Sequence, residues 1–179
     1  MKKLNLILFA LCLLGFCAAS QTLYAQNQTQ QGESFKEMEK GDPMPDFTLV
    51  SKVYGDISSK DLKGKVVLVN LFATWCGPCQ VELADVQSSL WPKLKDKKDF
   101  KLIVVGREHT DEELATYNEK KGFEFPLYPD PNRETYSKFA DKTIPRAYLF
   151  GKDGKLIYSS VGYKKGDIEK VIDMINKAL

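Results

Sequence analysis

The sequence predicts an α/β fold in which a central mixed sheet has helices on both faces. Three observations predict it: two near-continuous β-branched runs separated by a helical stretch, a later pair of runs around a glycine turn, and a final amphipathic helix. The runs "VVLVNLF" (66–72) and "KLIVVG" (101–106) lack the alternation of a strand with one wet face, so they belong in a sheet covered on both sides. A strand, a helix and a strand at this spacing form a βαβ unit with parallel strands.

In chain order, "MPDFTLV" (44–50) reads as an extra N-terminal strand. Residues 77–90, continuing toward Lys95, read as the crossover helix, with Trp91 as packing and Pro92 as a late break. Thr110 or Asp111 caps a second helix, "DEELATYNEKK", which Gly122 ends. "RAYLF" (146–150) and "KLIYSSV" (155–161) flank Gly151, Lys152, Asp153 and Gly154, a turn suited to an antiparallel hairpin. Ile168, Val171, Ile172, Ile175 and Leu179 then repeat at helical spacing, which gives the last helix one apolar stripe for the sheet.

The first residues set the compartment. Met1, Lys2 and Lys3 precede an apolar run over residues 4–19, the charge order and length of a secretory signal and short for a spanning helix. Residues 1–25 are therefore expected to be a signal peptide, cut after Ser20 or after Ala25. Leu14 three before Cys17 also suits a lipidation signal, which would make Cys17 a membrane tether, although Phe16 is bulky for that motif. Residues 26–40 read as a disordered polar lead, too poor in apolar side chains to offset chain entropy. The domain is expected over residues 41–179.

Removing Lys2 and Lys3 changes 26 basic against 24 acidic residues to 24 against 24. A domain without formal net charge gives no electrostatic support for nucleic-acid or anionic-membrane binding. A monomer is expected. After export only Cys76 and Cys79 remain, in "NLFATWCGPCQVE" (70–82).

Three uses of this pair compete. A closed zinc site needs about four ligands, and the exported chain adds only His109 to the two cysteines, so no metal and no cofactor is expected. A structural staple closing four residues gains only about 2 kcal/mol on the chain-entropy model, against roughly 3 for fifteen. A redox centre accounts for more. A helix starting beside Cys76 turns unpaired N–H groups and the positive dipole end toward its sulfur, favouring the thiolate that attacks disulfides. Cys79 lies one turn on, ready to resolve the mixed disulfide, and Pro78 suits a first helical turn.

With "WCGPC" after an apolar strand, the chain resembles the thioredoxin superfamily, and its flanking residues are similar to the exported TlpA/ResA-like thiol-disulfide oxidoreductases. The likeness spans roughly residues 41–179 and includes "GDPMPDF", "LKGKVVLVNLFATWCGPC", Glu82 in C-x-x-C-x-x-E, "TIP" (143–145) and "KDGKLIYSSVG". It implies a thioredoxin-like fold, a cis peptide bond before Pro145 beside the cysteines, and a backbone at Ile144 that pairs with a substrate strand. It also implies protein disulfides as substrates, plausible haem-binding cysteines of apocytochrome c among them, and a membrane thiol electron donor, because an oxidising envelope drains a reductant.

The chain departs from the superfamily pattern at three places. Asn70 replaces the buried Asp common six residues before the first Cys, as is usual in the exported branch, and Asn cannot take a proton. Glu82 is then the remaining carboxylate: burial would raise its pKa toward a useful range, whereas on a solvated helix face it would do nothing. Ala84 stands where a kinking Pro is common. Arg146 stands where Thr is frequent; it would stabilise the thiolate or select acidic substrates, or be plain surface charge. His109 reads better as a solvated loop residue than as a site residue, and Trp75 as part of the substrate surface.

The leading expectation is an exported reductant, because Gly-Pro between the cysteines adds no cation to over-stabilise the thiolate. Disulfide donation or isomerisation is the nearest alternative. A thiol peroxidase would place Thr where Ala73 stands, and a non-catalytic peptide-binding module would have no need of two intact cysteines.

Overall fold

The computed structural model describes residues 37–179; the leader, Cys17 and most of the polar lead lie outside them. Strand β1 (Thr48–Leu49) pairs antiparallel with β2 (Ile57–Ser58) in a small sheet of its own. The expected strand over 44–50 is thus shortened to two paired residues. Pro43 and Pro45 lack the N–H donors a longer ladder needs. Phe47 instead exchanges bonds with Ser59, whose N–H reaches the Phe47 carbonyl at 3.0 Å.

The main sheet begins with β3 (Val66–Phe72), every residue of which is buried, as its unbroken β-branched run requires. Helix α1 (Gly77–Asp85) follows, then a π turn over Val86–Leu90 and the short α2 (Trp91–Leu94). The expected helix to about Lys95 is therefore present but widened in its middle. Pro92 has no N–H for the Ser88 carbonyl and its ring crowds that group, so the Trp91 N–H bonds to Val86, five residues back. Trp91 packs edge-on against Phe125, 6.0 Å between centroids.

Strand β4 (Phe100–Arg107) runs parallel to β3, and α3 (Asp111–Lys121) follows it. Thr110 and Glu113 form a reciprocal capping box at its start, and Gly122 closes it at φ 66°. Two short elements come next, β5 (Leu127–Asp130) and α4 (Tyr136–Phe139), which Pro126, Pro129 and Pro131 hide from a reading of periodicity. β5 tolerates Pro129 because it is an edge strand, paired only with β4. The expected hairpin is β6 (Arg146–Phe150) and β7 (Leu156–Val161), and α5 (Asp167–Ala178) ends the chain.

The sheet order is β5-β4-β3-β6-β7, with β3, β4 and β5 parallel and β6 and β7 antiparallel to their neighbours. Alternate side chains of the buried strands feed two cores. Leu68, Phe72 and Val104 meet Leu83, Val86, Leu114, Ile168 and Ile172 on one face; Val67, Val69 and Leu71 meet Phe47, Leu62, Tyr136 and Phe139 on the other. Folded chain extends back to Glu37, four residues before the expected boundary: Met38 packs on the second core and Gly41 donates to the Leu156 carbonyl at 2.9 Å. Among the described residues no helix is long and apolar enough to cross a membrane.

Candidate active site

β3 delivers the chain to the carboxyl edge of the sheet, where Ala73–Trp75 turn it into α1. Cys76 is the N-cap residue, in extended conformation, and Pro78 occupies the first turn. The Cys76 sulfur accepts the Cys79 N–H at 3.2 Å, so it sits on the orphan donors at the helix start. The two sulfurs are joined in a disulfide. Cys76 keeps 6% of its surface exposed and Cys79 none, so only Cys76 is open to another molecule. Trp75 stands beside them 63% exposed.

The Ile144–Pro145 bond is cis. The register pairs Leu71 with Arg146, which brings Pro145 level with Phe72 at the same edge as the cysteines. The Pro145 carbonyl is taken by the Gly162 N–H at 2.8 Å. Ile144 is half-buried, and among the described residues its N–H and carbonyl have no hydrogen-bond partner.

Glu82 follows Cys79 by three residues, which places both on the buried side of α1. It is no part of a solvated face: 4% of it is exposed. Burial pushes its carboxyl up to about 7, against a downward pull from the neighbouring Asn70 amide and with a smaller upward push from the Asp167 charge. Asn70 is itself buried beneath it on β3, and among the described residues Glu82 Oε2 and Asn70 Oδ1 have no hydrogen-bond partner.

Two expectations are corrected. Arg146 neither lies at the surface nor faces the disulfide. Its pairing with Leu71 points it to the opposite face of the sheet, where its guanidinium holds the carboxylate of Glu37, the carbonyls of Lys142 and Thr143, and the Tyr148 hydroxyl. With its donors committed in a buried site it has none for a substrate. His109 is not solvated but 7% exposed. Its Nε2 accepts the Thr74 N–H at 3.0 Å, and Nδ1 lies 3.6 Å from Glu113 Oε2. A left-handed residue before it, Glu108 at φ 62°, turns it inward.

The cation beside the disulfide loop is Arg107, which the sequence reading missed. Its guanidinium lies 5.9 Å from the Trp75 ring and 4.8 Å from that of Tyr136. The Tyr136 hydroxyl donates to the Thr143 carbonyl at 3.3 Å, so one stack ties the Trp75 loop to the loop carrying Pro145. Arg107 ends a parallel strand on the side where α/β folds place their sites, and that position was the available signal. Tyr136, in a proline-broken stretch, offered none.

Comparison with known proteins agrees with this geometry. The AhpC/TSA family matches residues 40–159. The thiol-disulfide oxidoreductase ResA of Bacillus cereus (strain ATCC 10987 / NRS 248) is 31% identical over 179 residues, covering 98% of this chain and 99% of that protein. ResA of Bacillus thuringiensis subsp. konkukian is 30% identical over 177 residues, with the same coverage. Among solved structures, a protein from Bacteroides thetaiotaomicron assigned as a protein disulfide isomerase superposes with TM-score 0.74 at 29% identity, over 79% of this chain and 91% of that one. One from Chlorobium tepidum assigned as the thiol:disulfide interchange protein DsbE gives 0.71 at 28%, over 79% and 99%.

Proposed function

The chain belongs to the AhpC/TSA family, and within it we propose that this protein is an exported reductant of protein disulfides. Its enzyme class is that of its ResA relatives, thiol-disulfide oxidoreductase. The observation that carries the reading is the Cys76–Cys79 disulfide at the start of α1, with one sulfur at the surface and the other buried on the same helix side as Glu82.

In the reduced protein, Cys76 thiolate, favoured by the helix N-terminus, attacks a substrate disulfide. A Cys76–substrate bond forms, the substrate S–S bond breaks, and the first substrate thiolate takes a proton from water. Glu82 then accepts the Cys79 proton, Cys79 sulfur attacks Cys76 sulfur, and the second substrate thiolate leaves and takes a proton from water. The product is the disulfide seen here and two substrate thiols. Trp75 and the cis-Pro145 loop flank the substrate chain, and the unpartnered peptide groups of Ile144 suit an incoming extended strand.

The basic start and apolar run of residues 1–19 support export to the periplasm or cell envelope, with Cys17 as a candidate tether. Haem-binding cysteines of apocytochrome c fit the substrate class, and a membrane thiol donor would regenerate the dithiol. Reduction of insulin by the dithiol protein, together with its potential against glutathione, tests the direction. The expected potential lies near the thioredoxin value of about −270 mV; one near −120 mV would make the protein a disulfide donor.

A further inference from the structure

Glu82 also lines a small, partly enclosed cavity that leaves about 10 Å³ to the centre of a water molecule, about the minimum for one. Leu68, Val86 and Ala147 supply apolar wall, but Asn70, Glu82, Tyr158, Ser160, Tyr163 and Asp167 line it too. Glu82 Oε2 and Asn70 Oδ1, on residues 4% and 1% exposed, are the two unpartnered oxygens of the active-site acid and its neighbour. Two such atoms beside a space of one water's size mark a polar site rather than a packing defect. From the other wall, the Tyr163 hydroxyl donates to Asp85 Oδ2 at 2.6 Å, and Asp85 is half-exposed at the end of α1.

We propose that this cavity is a one-water hydration site through which Glu82 exchanges its proton with solvent along Tyr163 and Asp85. Glu82 gives the proton taken from Cys79 to the water. The water passes one of its own to Tyr163 Oη, as the Tyr163 hydroxyl releases its proton to Asp85 Oδ2. Asp85 gives that proton to bulk solvent, and no charge stays in the core. The ionisable groups facing the path are Glu82 and Asp85 on α1, Tyr158 on β7, Tyr163 in the following loop, and Asp167 and Glu169 on α5. Asp167 pairs with Lys170 at 2.9 Å, and the Tyr163 hydroxyl is bonded to Asp85, which makes Asp85 the acceptor of its proton.

The inference rests on Glu82 as the acid-base group, and the experiment separates the two. Single-turnover oxidation of the reduced protein by a small disulfide is followed by Trp75 fluorescence in water and in deuterium oxide. Tyr163→Phe keeps the ring and removes the hydroxyl; below pH 7, where Glu82 starts protonated and must shed that proton before it can take the one on Cys79, it should slow the second exchange step about tenfold and raise its solvent isotope effect. Asp85→Asn, a second variant should the first fold poorly, should do the same. In Glu82→Gln, already slow, adding Tyr163→Phe should change nothing further. If Glu82→Gln slows the step and neither relay variant does, the route is wrong while the acid stands. If Glu82→Gln has no effect, the acid role falls and the route with it. A high-resolution crystal structure should show a water bonded to Glu82 Oε2 and Tyr163 Oη, and a dry cavity would overturn the proposal.

Discussion

Replacing Glu82 by Gln should make the oxidised protein more stable at alkaline than at acidic pH relative to wild type. The carboxyl moves from 4.5 in the ordinary case to about 7 in the fold, because burial penalises the charged form first of all. A group with a raised folded pKa binds its proton more tightly in the native state, so its contribution is whole below about 4.5. That contribution is lost as pH rises toward 7 and stays lost above it. The gap corresponds to about 3 kcal/mol, at about 1.4 kcal/mol for each tenfold change in proton affinity. Gln has nearly the same shape and no proton to lose. The stability difference between variant and wild type should therefore shift by about 3 kcal/mol in favour of Gln between pH 4 and pH 8. Urea unfolding followed by far-ultraviolet circular dichroism at half-unit pH steps measures it, and carboxylates common to both proteins cancel in the difference. A difference that stays constant from pH 4 to pH 8 would refute the reasoning, since the carboxylate would then be solvated in both states. The same penalty is what supports the acid-base role proposed for Glu82.

Arg146→Met should cost about 3 kcal/mol in urea unfolding, chiefly from the Lys142 carbonyl and Tyr148 hydroxyl oxygen left without their donor, since Thr143 keeps the Tyr136 hydroxyl and Glu37, 56% exposed on its side chain, can turn to water. The pH profile of Cys76 alkylation should not move, because the guanidinium points to the other face of the sheet. His109→Phe removes the acceptor of the Thr74 N–H and should cost about 1–2 kcal/mol while slowing insulin reduction; His109→Gln, which can still accept, should recover part of both. Gly106→Ala places a Cβ 2.8 Å from Leu114 Cδ2 and should lower stability by about 1–2 kcal/mol, with a smaller loss when Leu114 is first shortened to Val.

What the residues determined unaided was whatever neighbours in the chain decide. Val66–Phe72 is a buried strand because its own side chains are β-branched and apolar throughout. Helix α3 starts and stops where Thr110, Glu113 and Gly122 stand, since capping acts within one turn. The cysteine pair and Glu82 share a helix side through a spacing of three, which the backbone converts directly into geometry. The environment of each side chain was decided only by closure of the sheet. Arg146 finds Glu37 109 positions away, and His109 finds Thr74 35 positions away, contacts for which local sequence carries no signature. β5 holds as an edge strand because β4 offers it a partner, despite Pro129. Whether Glu82 is a solvated charge or a buried carboxyl that binds its proton up to about pH 7 depends on Asn70, Tyr163 and α5 packing around it, because desolvation is a property of everything within a few ångströms and not of the helix that bears the group.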